Sequence, residues 1–121
     1  DWVAGALLRA EVDQEHWLTA GIHSHLYGLY TGNAMYTPLR IDDGRNLVYF
    51  SDKEHVLASG HMWPDSHAQV ALKPLLMHQP HGRGMVISFT QEPNYRAYMD
   101  GMHVLFMNAI FRASAHARPL R

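Results

Sequence analysis

Histidine is the residue type in this sequence that offers most for chemistry, with ten copies in 121 residues. Its imidazole ring titrates close to neutral pH and is a common zinc ligand. His23 and His25 have the alternate spacing that puts both side chains on one face of a β-strand. They are the candidate metal ligands, although a zinc site takes at least three protein ligands and no carboxylate or thiol stands beside them. We therefore expect ordinary surface histidines here, with a metal site as the alternative.

The spacings that assemble a catalytic centre from a local motif do not occur in the sequence. Neither His-x-x-Glu nor His-Glu-x-x-His is found, so the zinc arrangements of common metallopeptidases have no local basis. Gly-x-Ser-x-Gly is also missing, and without cysteine there is no thiolate ligand or thiol nucleophile. Adjacent hydroxyl and imidazole groups such as Ser66 and His67 point apart and are expected to be incidental. The sequence predicts no catalytic residue.

Two further patterns suggest ligand binding but have plainer explanations. Trp17 and Trp63 could line a sugar-binding face, yet large aromatic side chains are more often core or interface anchors. Packing is the expected role, and a carbohydrate-binding module stays an alternative. The loop Gly82-Arg83-Gly84 joins two predicted strands and lacks the Lys-Ser/Thr of a phosphate-binding loop, so it is predicted to be a hairpin turn.

Composition indicates one folded domain. Hydrophobic residues make up 47% of the chain and charged residues 17%, which is enough apolar surface for a single core. The formal net charge of −1 lacks the cationic excess of a nucleic-acid binder, and the apolar runs are far shorter than the roughly 20 residues that cross a bilayer. We expect neither nucleic acid nor a membrane as partner. We predict a domain over residues 1–115 and a flexible tail at 116–121, while the compartment stays open.

Periodicity and turn residues predict the fold class. Glycine-containing loop residues 80–84 separate two strand-like runs and favour an antiparallel hairpin, and Asp42-Asp43-Gly44 favours a turn. The predicted fold is mixed α/β, of the α+β type: a twisted mixed β-sheet of about five or six strands, the C-terminal hairpin, and a long C-terminal helix. The predicted strands are 5–12, 26–31, 46–51, 75–79 and 85–90.

The C-terminal helix has the clearest pattern of any element. It is predicted to run from Asp100, as its N-cap, to Ala113. Shorter helical segments are predicted at 15–21 and 64–71, and Gly28 is predicted to mark a bulge or a close approach of the backbone. Apolar residues on one face of the long helix, at spacings of three and four, are Met102, Leu105, Phe106, Ala109, Ile110 and Ala113.

Several segments together resemble a known domain. They resemble the domain at the C-terminus of some zinc carboxypeptidase-like proteins, which is itself similar to the class I glutamine amidotransferase fold. The N-terminal GALLR (5–9) and WLTAG (17–21) fit less specifically. The segments that carry the resemblance are LASG (57–60), LKPLL (72–76), PHGRGMVISF (80–89), EPNYRAY (92–98) and LFMNA (105–109).

The resemblance implies that a zinc peptidase domain accompanies this segment in a longer polypeptide. It places the zinc ligands, the general base and the substrate-binding arginine outside this chain, so no cofactor is expected here and zinc is expected in the parent's catalytic domain. A secreted or periplasmic location is consistent with such a parent protein. Because an amidotransferase uses a cysteine nucleophile and this chain has none, glutamine hydrolysis by that route is excluded. The implied fold is part of the amidotransferase-like fold.

The function expected from these observations is that of a non-catalytic accessory domain of a zinc carboxypeptidase-like protein. Its expected partner is the parent catalytic domain or a second copy of this chain. Arg96, just before the long helix, is the interface candidate, since a guanidinium group can pair with an acid across an interface. The alternatives are a small metal-dependent hydrolase that uses His23 and His25, and a carbohydrate-binding module.

Overall fold

The computed structural model of this chain describes residues 2–93 and 100–117. Within them the predicted α+β class is confirmed, with a curled β-sheet and a long C-terminal helix. A short 3₁₀ turn, Trp17–Thr19, lies between the first two strands. The strands are β1 (Val3–Val12), β2 (His25–Gly32), β3 (Arg45–Phe50), β4 (Leu57–Gly60), β5 (Pro74–His81) and β6 (Gly84–Phe89), and the helices are α1 (Pro64–Val70) and α2 (Asp100–His116).

The strands form one sheet in the order β2-β1-β3-β5-β6, with β4 paired to β1. Each strand pair among the described residues is antiparallel, so the prediction of mixed strand directions is wrong. Parallel neighbours need a crossover connection, usually a helix. Among the described residues, the one α-helix that lies between strands is α1. It has seven residues and joins β4 to β5, which do not pair with each other.

β1 organises the sheet because both of its edges are used. One edge pairs with β2 along most of its length, while the other is divided between β4, which pairs with residues 6–8, and β3, which pairs with residues 10–12. The short strand β4 was not predicted, since its sequence LASG contains no β-branched or aromatic residue. The segment forms a strand because it pairs with the part of the β1 edge that β3 leaves unpaired.

Alternate residues of β1 face the core. Ala6, Leu8 and Ala10 are buried, as the period of two in a half-buried strand requires. The register with β2 shifts between Val3 and Ala6, where Gly5 has a φ of 151°. The bulge in β1 is therefore at Gly5, in a conformation that favours glycine.

Gly28 marks a close approach rather than the alternative of a bulge. The β1–β2 register runs without a shift past this residue. A Cβ built on it would lie 3.5 Å from Cδ2 of Leu75 and 3.7 Å from Sδ of Met102. Because β2 and β5 are not neighbours in the strand order, this contact shows that the sheet curls around the start of α2.

The predicted hairpin is confirmed with a tighter turn than the loop 80–84. His81 pairs with Gly84, so the turn consists of Gly82 and Arg83. Gly82 has a φ of 57° and Arg83 does not have a positive φ. A positive φ at the first turn position alone is typical of a type II′ hairpin turn, which favours glycine there.

α2 packs across the open side of the curled sheet, where its side chains complete the core. Met102 and Leu105 are fully buried, and the ring of Phe106 meets that of Phe89 edge-on, with 6.1 Å between centroids. The other buried apolar residues are Val3, Ala6, Leu8, Ala10, Leu18, Leu26, Tyr30, Leu47, Val48, Phe50, Val56, Met62, Val70, Leu75 and Leu76. No helix among the described residues has the length and hydropathy to span a membrane.

The bounds of the helices differ slightly from prediction. α1 begins at Pro64, as predicted, where the missing N–H leaves no intrahelical bond unmade. Asp100 is already part of α2 rather than its N-cap, and the helix continues past Ala113 to His116, into the predicted tail. The last turn has a side-chain contact with the 3₁₀ turn, described below. Residues 118–121 of the tail lie outside the described residues.

Candidate functional site

The two candidate metal ligands do not share one face of a strand, contrary to prediction, because β2 begins only at His25. His23 precedes the strand and is exposed, whereas His25 is half-buried with its ring edge-on to Tyr27, 5.8 Å between centroids. In residues 2–93 and 100–117, no three histidine, cysteine or carboxylate side chains group closely enough to hold a metal ion.

His23 and His25 nevertheless line one open groove between β2 and the start of α2, with a volume of about 540 Å³. This volume lies within the roughly 300–1,000 Å³ range of small-molecule sites. None of the described residues that line it is a serine, threonine or cysteine. The groove walls are formed largely by Leu7, Ile22, Leu26 and Val104, and Asp100 lies with the two histidines at the polar positions.

A second surface feature is an apolar stripe on the solvent side of α2. Val104, Met107 and Phe111, spaced three and four residues apart, are 38%, 49% and 69% exposed. Ile110, which the periodicity assigned to the core side, is 54% exposed and lies beside the stripe. We call these four residues the outer face of α2.

The stripe of Val104, Met107 and Phe111 lies on the opposite side of α2 from the core. At about 100° per residue, a position nine residues along a helix is turned by roughly half a circle. Phe111 therefore points away from the direction of the buried Met102. Val104 also lines the groove, so the groove and the outer face are continuous.

Three histidines that are distant in the sequence meet around Trp17. The His116 ring is parallel to the Trp17 ring, with 4.3 Å between centroids and 3° between planes. The His78 ring meets Trp17 edge-on at 6.0 Å and lies 4.9 Å from the ring of His16. We call His16, His78 and His116 the histidine cluster.

The environment of His16 and His78 favours neutral imidazole rings. Burial, followed by the charges of His78 and Arg45, lowers the pKa of His16 to about 4, while the Asp13 carboxylate acts in the opposite direction. Burial and then the nearby Arg45 guanidinium lower the pKa of His78 as well. Arg45 itself is paired with Asp13.

The hydrogen-bonding environment of the half-buried rings of His16 and His78 also favours the neutral form. Nδ1 of His16 accepts a hydrogen bond from the backbone N–H of Leu18 at 3.1 Å, which caps the 3₁₀ turn. An imidazolium ring cannot accept this bond, since both of its nitrogens carry hydrogen. Nε2 of His78 is buried and has no hydrogen-bond partner among the described residues. A proton on that nitrogen would be a buried donor with nothing to receive it.

Asn108 ties the middle of α2 to the same 3₁₀ turn. Its side-chain amide donates to the carbonyl oxygens of Leu18 and Ala20, at 3.0 Å and 2.9 Å. Together with the stack of His116 on Trp17, this bond fixes the C-terminal half of α2 against the turn.

The tryptophans considered for carbohydrate binding differ in exposure. Trp17 is half-buried, and His116 covers one face of its ring. Trp63 is 56% exposed, and the ring of His61 meets it edge-on at 5.1 Å. Of these two, Trp63 is therefore the tryptophan with more surface available to a sugar ring.

The remaining residues singled out in the sequence have structural roles or lie outside the description. Arg96 is outside the described residues. Ser66 is buried in α1, and the ring nitrogens of His67 lie 3.3 Å and 3.1 Å from the carbonyl oxygens of Lys53 and Met62. Ser66 and His67 thus do not form a nucleophile and base pair. The Asp42-Asp43-Gly44 segment forms the predicted turn, in which Gly44 N–H donates to the Arg40 carbonyl at 3.2 Å.

Comparison with known proteins found no matching family model, no matching curated protein and no matching solved structure. The resemblance to the C-terminal domain of zinc carboxypeptidase-like proteins therefore remains a prediction. The outer face of α2 and the histidine cluster are the two candidate functional features that the sequence did not predict. Only the high number of histidines pointed towards the second.

Proposed function

We propose that this chain is a non-catalytic accessory domain that docks on another protein through the outer face of α2. Its partner in this proposal is the catalytic domain of a zinc carboxypeptidase-like polypeptide of which the chain forms a part. The observation that carries the proposal is the exposed apolar stripe of Val104, Met107 and Phe111, opposite the core side of the same helix.

The physical argument is that apolar surface gains free energy when it leaves water, by about 25 cal/mol per Å². Single exposed apolar residues are normal, but a contiguous group on one regular element marks an interaction site. Phe111 is 69% exposed, the highest exposure among the four residues of the outer face. Aromatic side chains with this placement are frequent anchors of protein interfaces.

The adjoining groove supports docking by shape. Val104 belongs both to the groove wall and to the outer face. A partner surface that covers the helix would therefore meet a ridge and a cleft side by side, and a side chain of the partner could fill the cleft. An anchor that enters a preformed pocket is the usual arrangement at the centre of an interface.

The rival function is a small metal-dependent hydrolase built on His23 and His25. The groove places these two histidines with Asp100 along one lining, which is the observation in its favour. Against it, the described residues do not group three such ligands closely enough to hold a metal ion. The accessory function needs no metal in this chain, and the two proposals therefore differ in an easily measured property.

A binding experiment between this chain and the separately produced catalytic domain of the parent polypeptide tests the docking proposal. We expect Phe111→Ser to raise the dissociation constant by about tenfold or more, as loss of an interface anchor does. Val86→Ser is the matched control, since Val86 is 45% exposed on β6 and not part of α2. Equal weakening by both variants, or no binding by the unaltered chain, would contradict the proposal.

A further inference from the structure

We propose that the histidine cluster around Trp17 is a pH-sensitive latch, which holds the last turn of α2 on the 3₁₀ turn near neutral pH and releases it in mild acid. The latch is a property of this chain alone and does not depend on the docking proposal. It uses three segments that are far apart in the sequence, the chain before the 3₁₀ turn, β5 and the end of α2.

In the closed latch, contacts at two positions hold α2 on the 3₁₀ turn. His116, in the last turn, has its ring face on Trp17 at 4.3 Å. Two turns earlier, Asn108 bonds to the carbonyl oxygens of Leu18 and Ala20. Release of the Trp17 stack therefore frees the helix end, while Asn108 continues to hold the middle of the helix.

The charges that surround the cluster make acid the opening signal. The titratable and charged groups that face His16 are His78 on β5, His116 on α2, Arg45 on β3 and Asp13 after β1. Asp13 is already paired with Arg45, so it offsets little further positive charge. Protonation of the histidines would bring like charges together on rings 4.9 Å apart, which are separated by far less than the Debye length of about 10 Å.

Protonation also breaks the hydrogen-bonding pattern of the closed state. His16 would lose the bond that Nδ1 accepts from the Leu18 N–H. His78 would carry a buried N–H at Nε2, where the described part of the chain offers no partner. If the two rings turn towards water, Trp17 loses two of the three imidazole rings that pack around it, and the His116 stack then remains as its one ring contact within the histidine cluster.

The direction of the pH dependence follows from linkage. Burial, His78 and Arg45 lower the pKa of His16 from 6.5 to about 4, and burial lowers that of His78. The released state, with solvated rings, binds protons more readily than the closed state. The stability of the closed latch is thus fully present above about pH 6.5 and is lost as the pH falls towards 4.

Tryptophan fluorescence of a chain with Trp17 as its sole tryptophan tests the latch. The substitutions Trp2→Phe and Trp63→Phe remove two exposed indoles. We expect the Trp17 emission to shift to longer wavelength as the pH falls, with a midpoint between 6.5 and 4. His116→Ala, which removes the stacked ring, should show the shifted emission already at neutral pH.

Two variants and one control separate the latch from a general effect of acid. His16→Asn keeps an oxygen acceptor for the Leu18 N–H but does not titrate, and His78→Phe keeps an aromatic ring on β5. The double variant, or each single variant if the double variant fails to fold, should abolish the transition or lower its midpoint. His81→Asn, at an exposed histidine near the hairpin turn, should leave the transition unchanged.

Three outcomes would overturn the latch. The first is a Trp17 emission that does not change between pH 6.5 and 4. The second is a transition that persists unchanged in both His16→Asn and His78→Phe. The third is coincidence of the emission change with loss of the far-ultraviolet circular dichroism of the sheet, because the chain would then unfold as a whole rather than open at the end of α2.

Discussion

The side-chain amide of Asn108 donates to the carbonyl oxygen of Leu18 across 3.0 Å, and so joins α2 to the 3₁₀ turn. A second bond from the same nitrogen reaches Ala20. Asn108→Ala removes both bonds, and we expect the free energy of unfolding to fall by about 1–3 kcal/mol, the penalty for unpaired buried polar groups. Urea denaturation measures this change. Asn33→Ala, at an exposed loop residue, is the control, and equal stability of the two variants would refute the role of Asn108.

Gly44 lies against the backbone of β5 and should not tolerate a side chain. A Cβ at this position would overlap the His78 carbonyl oxygen and lie 3.1 Å from Cα of Gln79. Since the obstacle is backbone, Gly44→Ala should lower the free energy of unfolding by about 1–3 kcal/mol or more. Gly84→Ala is the matched control, because its nearest neighbour is 3.8 Å away. Thermal unfolding of both variants should show a lower midpoint for the first only.

Leu72 has a left-handed backbone conformation, with a φ of 61°, although it is not a glycine. Its N–H donates to the Phe50 carbonyl at 3.0 Å and its side chain is 59% exposed. Asparagine adopts this conformation more readily, so Leu72→Asn should raise the free energy of unfolding by roughly 1 kcal/mol. Leu72→Ala keeps the strain and should give no such gain. Calorimetry of the three chains compares them, and a lower midpoint for Leu72→Asn would go against this expectation.

Metal analysis separates the accessory function from the hydrolase alternative. We expect the purified chain to hold far less than one equivalent of zinc, because its described residues do not bring three suitable ligands together. Treatment with a chelator should leave the unfolding temperature unchanged. A full equivalent of zinc that disappears in His23→Ala and His25→Ala would instead support the hydrolase.

The sequence predicted the elements whose patterns are local. The hairpin follows from Gly82, which takes the positive φ that its turn needs. The core side of α2 follows from the spacing of Met102 and Leu105, both fully buried. In these cases the period or the turn chemistry is contained in a few consecutive residues, so no knowledge of distant contacts is required.

The features that the sequence did not reveal depend on distant partners. β4 is a strand because it pairs with residues 6–8 of β1, on an edge that β3 does not reach, and not because LASG favours strands. Ile110 fits the core period but is exposed, and the spacing of residues within the helix does not reveal this. His16 and His78 come together only when the chain has folded. Their sequence spacing carries no signal of this contact.

The three-way pairing of β1 also bears on how the chain folds. Its partners β2, β3 and β4 begin at residues 25, 45 and 57. Each pairing of β1 therefore requires the closure of a longer loop than the one before. Contacts of such long sequence separation slow folding. Until they form, the apolar residues Leu7 and Leu8 remain without partners, and an incomplete chain therefore exposes a hydrophobic strand edge of the kind that molecular chaperones protect.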